Sequence, residues 1–269
     1  MTAGTIVLVG CGQMGSAMLR GWLAGGAAAR YVVIEPAGVS EAFAKSPAVE
    51  SHGAPGVLAD ALAPDAVVFA VKPQGINDIL PGYRRFARPG TVFMSIAAGT
   101  TIANMTRHLG DAAIVRVMPN TPAAIGRAIS VACANSRVTA AQRRLCDALL
   151  AAIGESAWVE DEALLDPVTA VSGSGPAYVF LLIETLAEAG KKAGLPPDLA
   201  LRLAKATVAG AGELARVSAE PPGRLRENVT SPGGTTRAAL DVLMGESGLA
   251  ELMDRAVAAA TARSRELAG

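Results

Sequence analysis

Three glycines carry the first chemical signal in this chain. Gly10, Gly12 and Gly15 lie in "VLVGCGQMGSAM", a G-x-G-x-x-G spacing. The motif follows a β-branched run and opens a stretch with Met14, Met18, Gly21, Trp22 and Gly25 at helical spacing. In a strand–turn–helix, the first glycine permits a tight turn and the second lets a pyrophosphate approach the backbone. The third lets helix and strand pack closely. Free amides at the helix start then hold the anion. Gly10, Cys11, Gly12, Gln13, Met14 and Gly15 are therefore expected to cradle a dinucleotide, with Cys11 a small apolar filler. Glu35 stands about 20 residues further on, at the end of the second strand, where an acid meets the adenosine ribose. Its carboxylate accepts from a 2′-hydroxyl and repels a 2′-phosphate, which favours NADH over NADPH.

The second signal is "SPGGTT" at 231–236, between two apolar helical patterns. It reads either as a connector or as a carboxylate cradle. Gly233 and Gly234 allow close backbone approach, and Thr235 and Thr236 start a helix whose free N–H groups suit a carboxylate. Ser231 adds a hydroxyl. Both threonines can equally be simple N-caps. Between the two signals, three apolar runs end abruptly: "AVKPQ" (70–74), "SIAAG" (95–99) and "RVMPNTP" (116–122). Ala97, Ala98 and Gly99 leave room for a ring, and Asn120 and Thr121 offer polar groups. On successive strands, such ends resemble the lining of a nicotinamide pocket. "VSGSGPAYVF" (171–180) fits either close helix packing or a wall over that ring. The two histidines, His52 and His108, lie near no other ligand-type residues at metal spacing, so no metal site is expected.

The elements that must position these residues follow from hydrophobic pattern. Residues 5–10, 31–35, 66–71, 91–96 and 113–118 are continuous β-branched runs, suited to parallel strands buried on both faces. Residues 128–134 and 157–160 are two further strand candidates. "DALA" (60–63) and "IANMTRHLG" (102–110) read as helices. The alternation predicts an α/β fold: a doubly wound, Rossmann-type sheet over residues 1–162. Beyond it, helices are expected over 176–194, 197–217, 236–244 and 249–267, an all-helical domain over 163–269. Several are apolar on more than one face and need burial all round. The helical domain is too small to provide that alone, so self-association is expected.

Lys+Arg and Asp+Glu both number 24, and no basic run stands out, so nucleic acid is not an expected partner. Cys11, Cys133 and Cys146 form no CxxC pair and read as reduced thiols of a cytoplasmic protein. No signal peptide is recognisable, and no apolar run reads as an uninterrupted membrane span.

"GCGQMG", "AVKP", "SIAAG", "RVMPNTP", "SGSGPAYVF" and "LRENVTSPGGTT", in this order, resemble the pyrroline-5-carboxylate reductases along essentially the whole chain. The resemblance implies reduction of 1-pyrroline-5-carboxylate to L-proline by NAD(P)H, the last step of proline biosynthesis. It implies an N-terminal Rossmann domain and a helical dimerisation domain, with dimers often assembling into decamers. Ala70, Val71, Lys72, Pro73 and Ala97 would line the cofactor. Ser231, Gly234, Thr235 and Thr236 would hold the substrate, contributed by the partner subunit. Glu35 departs from the small or polar residue common in NADPH-preferring relatives. The chemistry suits the residues: a protonated cyclic imine already accepts hydride, so the protein must chiefly orient two rings. Thr236 is the candidate for contact with the ring nitrogen. Two other readings compete. A β-hydroxyacid dehydrogenase needs a Lys where "GSGPAY" has Tyr178, and a non-enzymatic dinucleotide-binding protein needs no substrate pocket.

Overall fold

The structure is a computed structural model and describes residues 3–268. Eight strands form one sheet: β1 (Ala3–Val9), β2 (Ala28–Ile34), β3 (Val49–His52), β4 (Ala66–Phe69), β5 (Val92–Ser95), β6 (Ala113–Met118), β7 (Ala128–Ala134) and β8 (Gly154–Trp158). Their order is β3-β2-β1-β4-β5-β6-β7-β8. The first six run parallel; β7 is antiparallel to β6, and β8 is parallel to β7. The chain builds outward from β1 in one direction and then restarts at β4 in the other. That reversal makes the β1/β4 crevice the place where such sheets take ligands.

The helices are α1 (Gln13–Gly25), α2 (Glu41–Ala44), α3 (Ile76–Ile79), α4 (Ile102–Leu109), α5 (Ala140–Ala151), α6 (Leu165–Val168), α7 (Gly175–Lys192), α8 (Pro197–Val217), α9 (Pro222–Asn228), α10 (Thr235–Leu243) and α11 (Leu249–Ala268). The continuous apolar strands are explained by burial on both faces. Ile6 and Leu8 of β1 join a cluster with Met18 and Trp22, while Val7 and Val9 join Phe69, Tyr83 and Phe93 on the other side. The Trp22 Nε1–H donates to the Leu149 carbonyl at 2.9 Å, which fixes α1 beside α5.

The structure departs from the sequence expectations at several elements. "DALA" forms a turn at 60–61, because four residues ahead of Pro64 cannot nucleate a helix. β3 and α5 were not expected. β3 is a short polar edge strand, and α5 begins with a capping box in which Thr139 and Gln142 bond reciprocally. Glu162–Lys192 is 31 residues of near-continuous helical turns, long and apolar enough by composition to cross a membrane. The helix expected from 176 is preceded by a five-residue π-helical turn, Thr169–Gly173, and begins at Gly175.

Residues through Gly173, together with Ala260 onward, form one compact unit; Ser174–Ala259 form a second. Within the second, α7 and α8 pack through Gly190 against Ala200. Among the described residues its buried apolar residues are Ala187, Ala200 and Ala204, whereas Phe180, Leu181, Leu182, Leu201 and Leu203 are exposed.

Candidate active site

The glycine loop follows β1 and meets the end of β4. Gly10 has φ +90°, and a Cβ there would lie 2.7 Å from the Ala70 carbonyl oxygen. A Cβ on Gly15 would lie 2.3 Å from the Gly10 carbonyl oxygen. Both positions therefore exclude a side chain for reasons internal to the fold. Gly12 differs: a Cβ there would meet nothing within 4 Å. Gly12 is also the N-cap of α1, so no side chain satisfies the first-turn amides. Gln13 and Met14 form that first turn. An open backbone face at an uncapped helix start fits a pyrophosphate.

Glu35 immediately follows β2 and holds two backbone amides. Its Oε2 accepts from Cys11 N–H at 2.7 Å, and its Oε1 accepts from Ala37 N–H at 3.2 Å. The carboxylate thus braces the glycine loop against the loop after β2, and its remaining lone pairs can still accept from a ribose hydroxyl. The Cys11 thiol is raised above its ordinary value by burial, with Glu35 adding to the rise and the Ser16 hydroxyl opposing it. Its Sγ lies 3.5 Å from Ser16 Oγ, and that hydroxyl also donates to the Cys11 carbonyl at 2.7 Å. A thiol kept protonated fits the filler role.

Ala70 extends the β1–β4 pairing, its N–H donating to Val9 O at 2.7 Å. Val71 is half-buried, Lys72 and Pro73 are exposed, and Pro73–Gly75 is a single 3-10 turn. After β5, Ala97 is buried, with its methyl in the cluster of Phe69, Phe93 and Met105. Asn120 is similarly committed: its Oδ1 accepts from Ile129 N–H at 3.0 Å and its Nδ2 donates to Ser172 O at 3.2 Å. It ties the end of β6 to β7 and to the π-helical turn. Ser16 and Ser172 escaped the sequence reading: the first bonds Cys11 within the glycine loop, and the second meets Asn120 only through its backbone carbonyl.

In the second unit, Gly234 is the N-cap of α10, which puts Thr235 and Thr236 at its first two positions. Neither threonine is therefore the cap residue, and the hydroxyls are not consumed in capping. Gly233 has φ +68°, and the Gly234 N–H closes the turn on Ser231 O at 3.1 Å. A Cβ on Gly234 would lie 2.4 Å from Ser231 Oγ, so glycine there is what lets the serine hydroxyl sit over the helix start. Thr230, Ser231, Pro232, Gly233 and Arg237 line a cavity of about 330 Å³. Arg237 was not anticipated; its Nε pairs with Asp241 at 2.8 Å.

Residues 162–267 match the family model described as pyrroline-5-carboxylate reductase dimerisation, and residues 5–99 match that of coenzyme F420-dependent NADP oxidoreductases. A pyrroline-5-carboxylate reductase of Pseudomonas aeruginosa is 39% identical over 275 residues, covering 100% of this chain and 98% of the relative. One from Glycine max is 37% identical, covering 98% and 96%. Among solved structures, a pyrroline-5-carboxylate reductase from Coxiella burnetii is 33% identical with a TM-score of 0.91 over the whole of both chains. The Plasmodium falciparum enzyme with NADP bound is 29% identical with a TM-score of 0.82 over 98% of each.

Proposed function

The chain belongs to the pyrroline-5-carboxylate reductase family, and from that premise we infer that it reduces 1-pyrroline-5-carboxylate to L-proline by hydride transfer from a nicotinamide dinucleotide, the last step of proline biosynthesis. The observation that carries this reading to residues is the start of α10, capped by Gly234 and leaving two threonine hydroxyls uncommitted.

The open backbone at Gly12 and the uncapped start of α1 suit the pyrophosphate. The dinucleotide, when bound, supplies the hydride. Ser231 and the amides of Thr235 and Thr236 hold the substrate carboxylate at the helix start, where the macrodipole favours an anion. Thr236 hydrogen-bonds the ring nitrogen. As the imine carbon gains the hydride, the C=N electron pair moves to that nitrogen, which already bears a proton. A hydroxyl that keeps the ring oriented is then sufficient, and no acid–base side chain is required. Following the family resemblance, the α10 residues serve the partner subunit's dinucleotide.

The chain self-associates, and we propose a homodimer that assembles further into a decamer. We assign residues 1–162 to dinucleotide binding and 163–269 to dimerisation and substrate binding; the turns over 163–173 belong by contact to the sheet unit and connect the two. Glu35 supports a preference for NADH, and three free thiols fit a cytoplasmic protein. The test is reduction of the five-membered imine acid by NADH and by NADPH, beside oxidation of L-proline and of a 3-hydroxy acid at high pH. Proline-linked turnover is expected. Hydroxy-acid turnover alone would return the β-hydroxyacid dehydrogenase reading, and no turnover at all the non-enzymatic one.

A further inference from the structure

The loop after β5, residues 96–101, has few bonds of its own. Ala97 N–H donates to Ser95 Oγ at 3.2 Å, and Thr100 N–H closes a turn on Ala97 O at 3.3 Å. At its start it is held by Ile96 N–H donating to Phe69 O at 3.0 Å and by the buried Ala97; beyond that, two points of contact with other segments set its position. On the α4 side, Ile102 N–H donates to Glu162 Oε1 at 2.8 Å, and the same oxygen accepts from Arg116 Nη1 at 3.0 Å. Arg116 is almost fully buried, so this carboxylate joins α4 to β6 in a poorly solvated site.

The second point is the end of the chain. Gly99 has φ +74°, and a Cβ there would lie 2.7 Å from the carbonyl oxygen of Leu267, near the end of α11. One turn earlier, Ser264 donates to Asp166 Oδ1 at 2.7 Å, with both residues buried. Ser264 and Leu267 are three apart and lie on one side of α11. Glu162 and Asp166 are four apart, within one segment that follows β8. That segment therefore grips the loop with one carboxylate and the C-terminal helix with the other. The helix in turn stands against the loop at Gly99.

Resting on the reading above, in which this loop borders the nicotinamide, we propose that Ser264, through Asp166, is a positioning residue for the cofactor pocket. The last turns of α11 hold residues 96–101 at the depth the ring requires. Ser264 touches no reactant; it acts by holding the helix end whose carbonyl sits on Gly99.

The readout is NADH affinity by fluorescence titration without imine, followed by steady-state kinetics, with oligomeric state checked by light scattering. NADH binding reads the pocket even if the imine is not the substrate, so a failure of the activity assay and a failure of this inference are separable. Ser264→Ala and Asp166→Ala are each expected to weaken NADH roughly three- to ten-fold without changing the oligomer. The double variant should be no worse than either single one. Asp166→Asn keeps an acceptor for the serine hydroxyl and should remain near wild type. Gly99→Ala attacks the same contact from the loop side and should weaken NADH at least as much. If the alanine variants lower only the melting temperature and leave NADH affinity and KM unchanged, or if the two losses add, the proposal is overturned.

Discussion

Gly12→Ala separates a ligand cradle from a glycine-rich turn, because this glycine has no structural reason to be one. Its φ of −65° is negative and its backbone extended, so no left-handed conformation demands glycine, and the added Cβ meets nothing within 4 Å. The folded protein should lose little: Gly12 is the N-cap of α1, where alanine caps less well than glycine, so a destabilisation of about 1 kcal/mol or less is expected. The pyrophosphate should not be indifferent. A methyl on the open face pushes phosphate oxygens away from the first-turn amides of α1. Losing one charge-assisted hydrogen bond costs about 1.5–3 kcal/mol, or roughly ten- to a hundred-fold in dinucleotide affinity. The assay is paired: a thermal melt, and NADH and NADPH binding by fluorescence on the same preparation. Gly15→Ala is the contrast, since its Cβ would fall 2.3 Å from the Gly10 carbonyl oxygen and must move the backbone. It should lower the melting temperature much further than Gly12→Ala does. Wild-type affinity for both dinucleotides in a folded Gly12→Ala protein would refute the assignment of this loop to the pyrophosphate.

Thr236→Ala should lower kcat/KM for the imine acid by roughly ten-fold, the worth of about one hydrogen bond at the reacting ring, with dinucleotide affinity unchanged. Thr236→Ser should keep most of the activity, and an Ala variant with wild-type kcat/KM would remove the hydroxyl from the mechanism. Glu35→Gln keeps an acceptor for the Cys11 amide but removes the charge facing a 2′-phosphate, so the NADPH/NADH ratio of kcat/KM should rise. An unchanged ratio would limit Glu35 to bracing the loop. Burial pushes the Cys146 thiol up to about 12 from an ordinary 9.0. The unfolded chain therefore releases this proton first, and stability should fall by about 1.4 kcal/mol per pH unit between those two values. Cys146→Ala should flatten that slope in alkaline urea titrations, and an identical slope would show that other groups dominate.

The parallel strands were legible because burial on both faces demands unbroken apolar runs, as in "TIVLVG" and "AVVFAV". β3, with its sequence "VESH", pairs only with β2 and leaves no comparable trace. The capping box of α5 was present as Thr139–Gln142 but lies between less obvious apolar positions. At the candidate site, residue types single out loops, while the hydrogen bonds of each side chain appear only in the folded structure. Asn120 looked like a ligand donor and proves to be bonded to two segments of its own unit. Ala97 was expected to line the pocket and turns its methyl inward. Glu35 was identified from its distance along the chain, but its grip on the Cys11 amide depends on how two loops meet. That neither Thr235 nor Thr236 is the cap of α10 depends on where its first helical residue falls, which residue types alone do not fix.

A unit whose buried apolar residues are three alanines, Ala187, Ala200 and Ala204, shelters very little hydrocarbon by itself. Where self-association buries its exposed leucines, part of its folding free energy becomes a function of concentration. Under such linkage, each ten-fold dilution at concentrations well above the dissociation constant withdraws about 1.4 kcal/mol per association step from that unit. Water alone then acts as a denaturant. The amount of the protein present helps decide whether its α10 cradle exists in folded form.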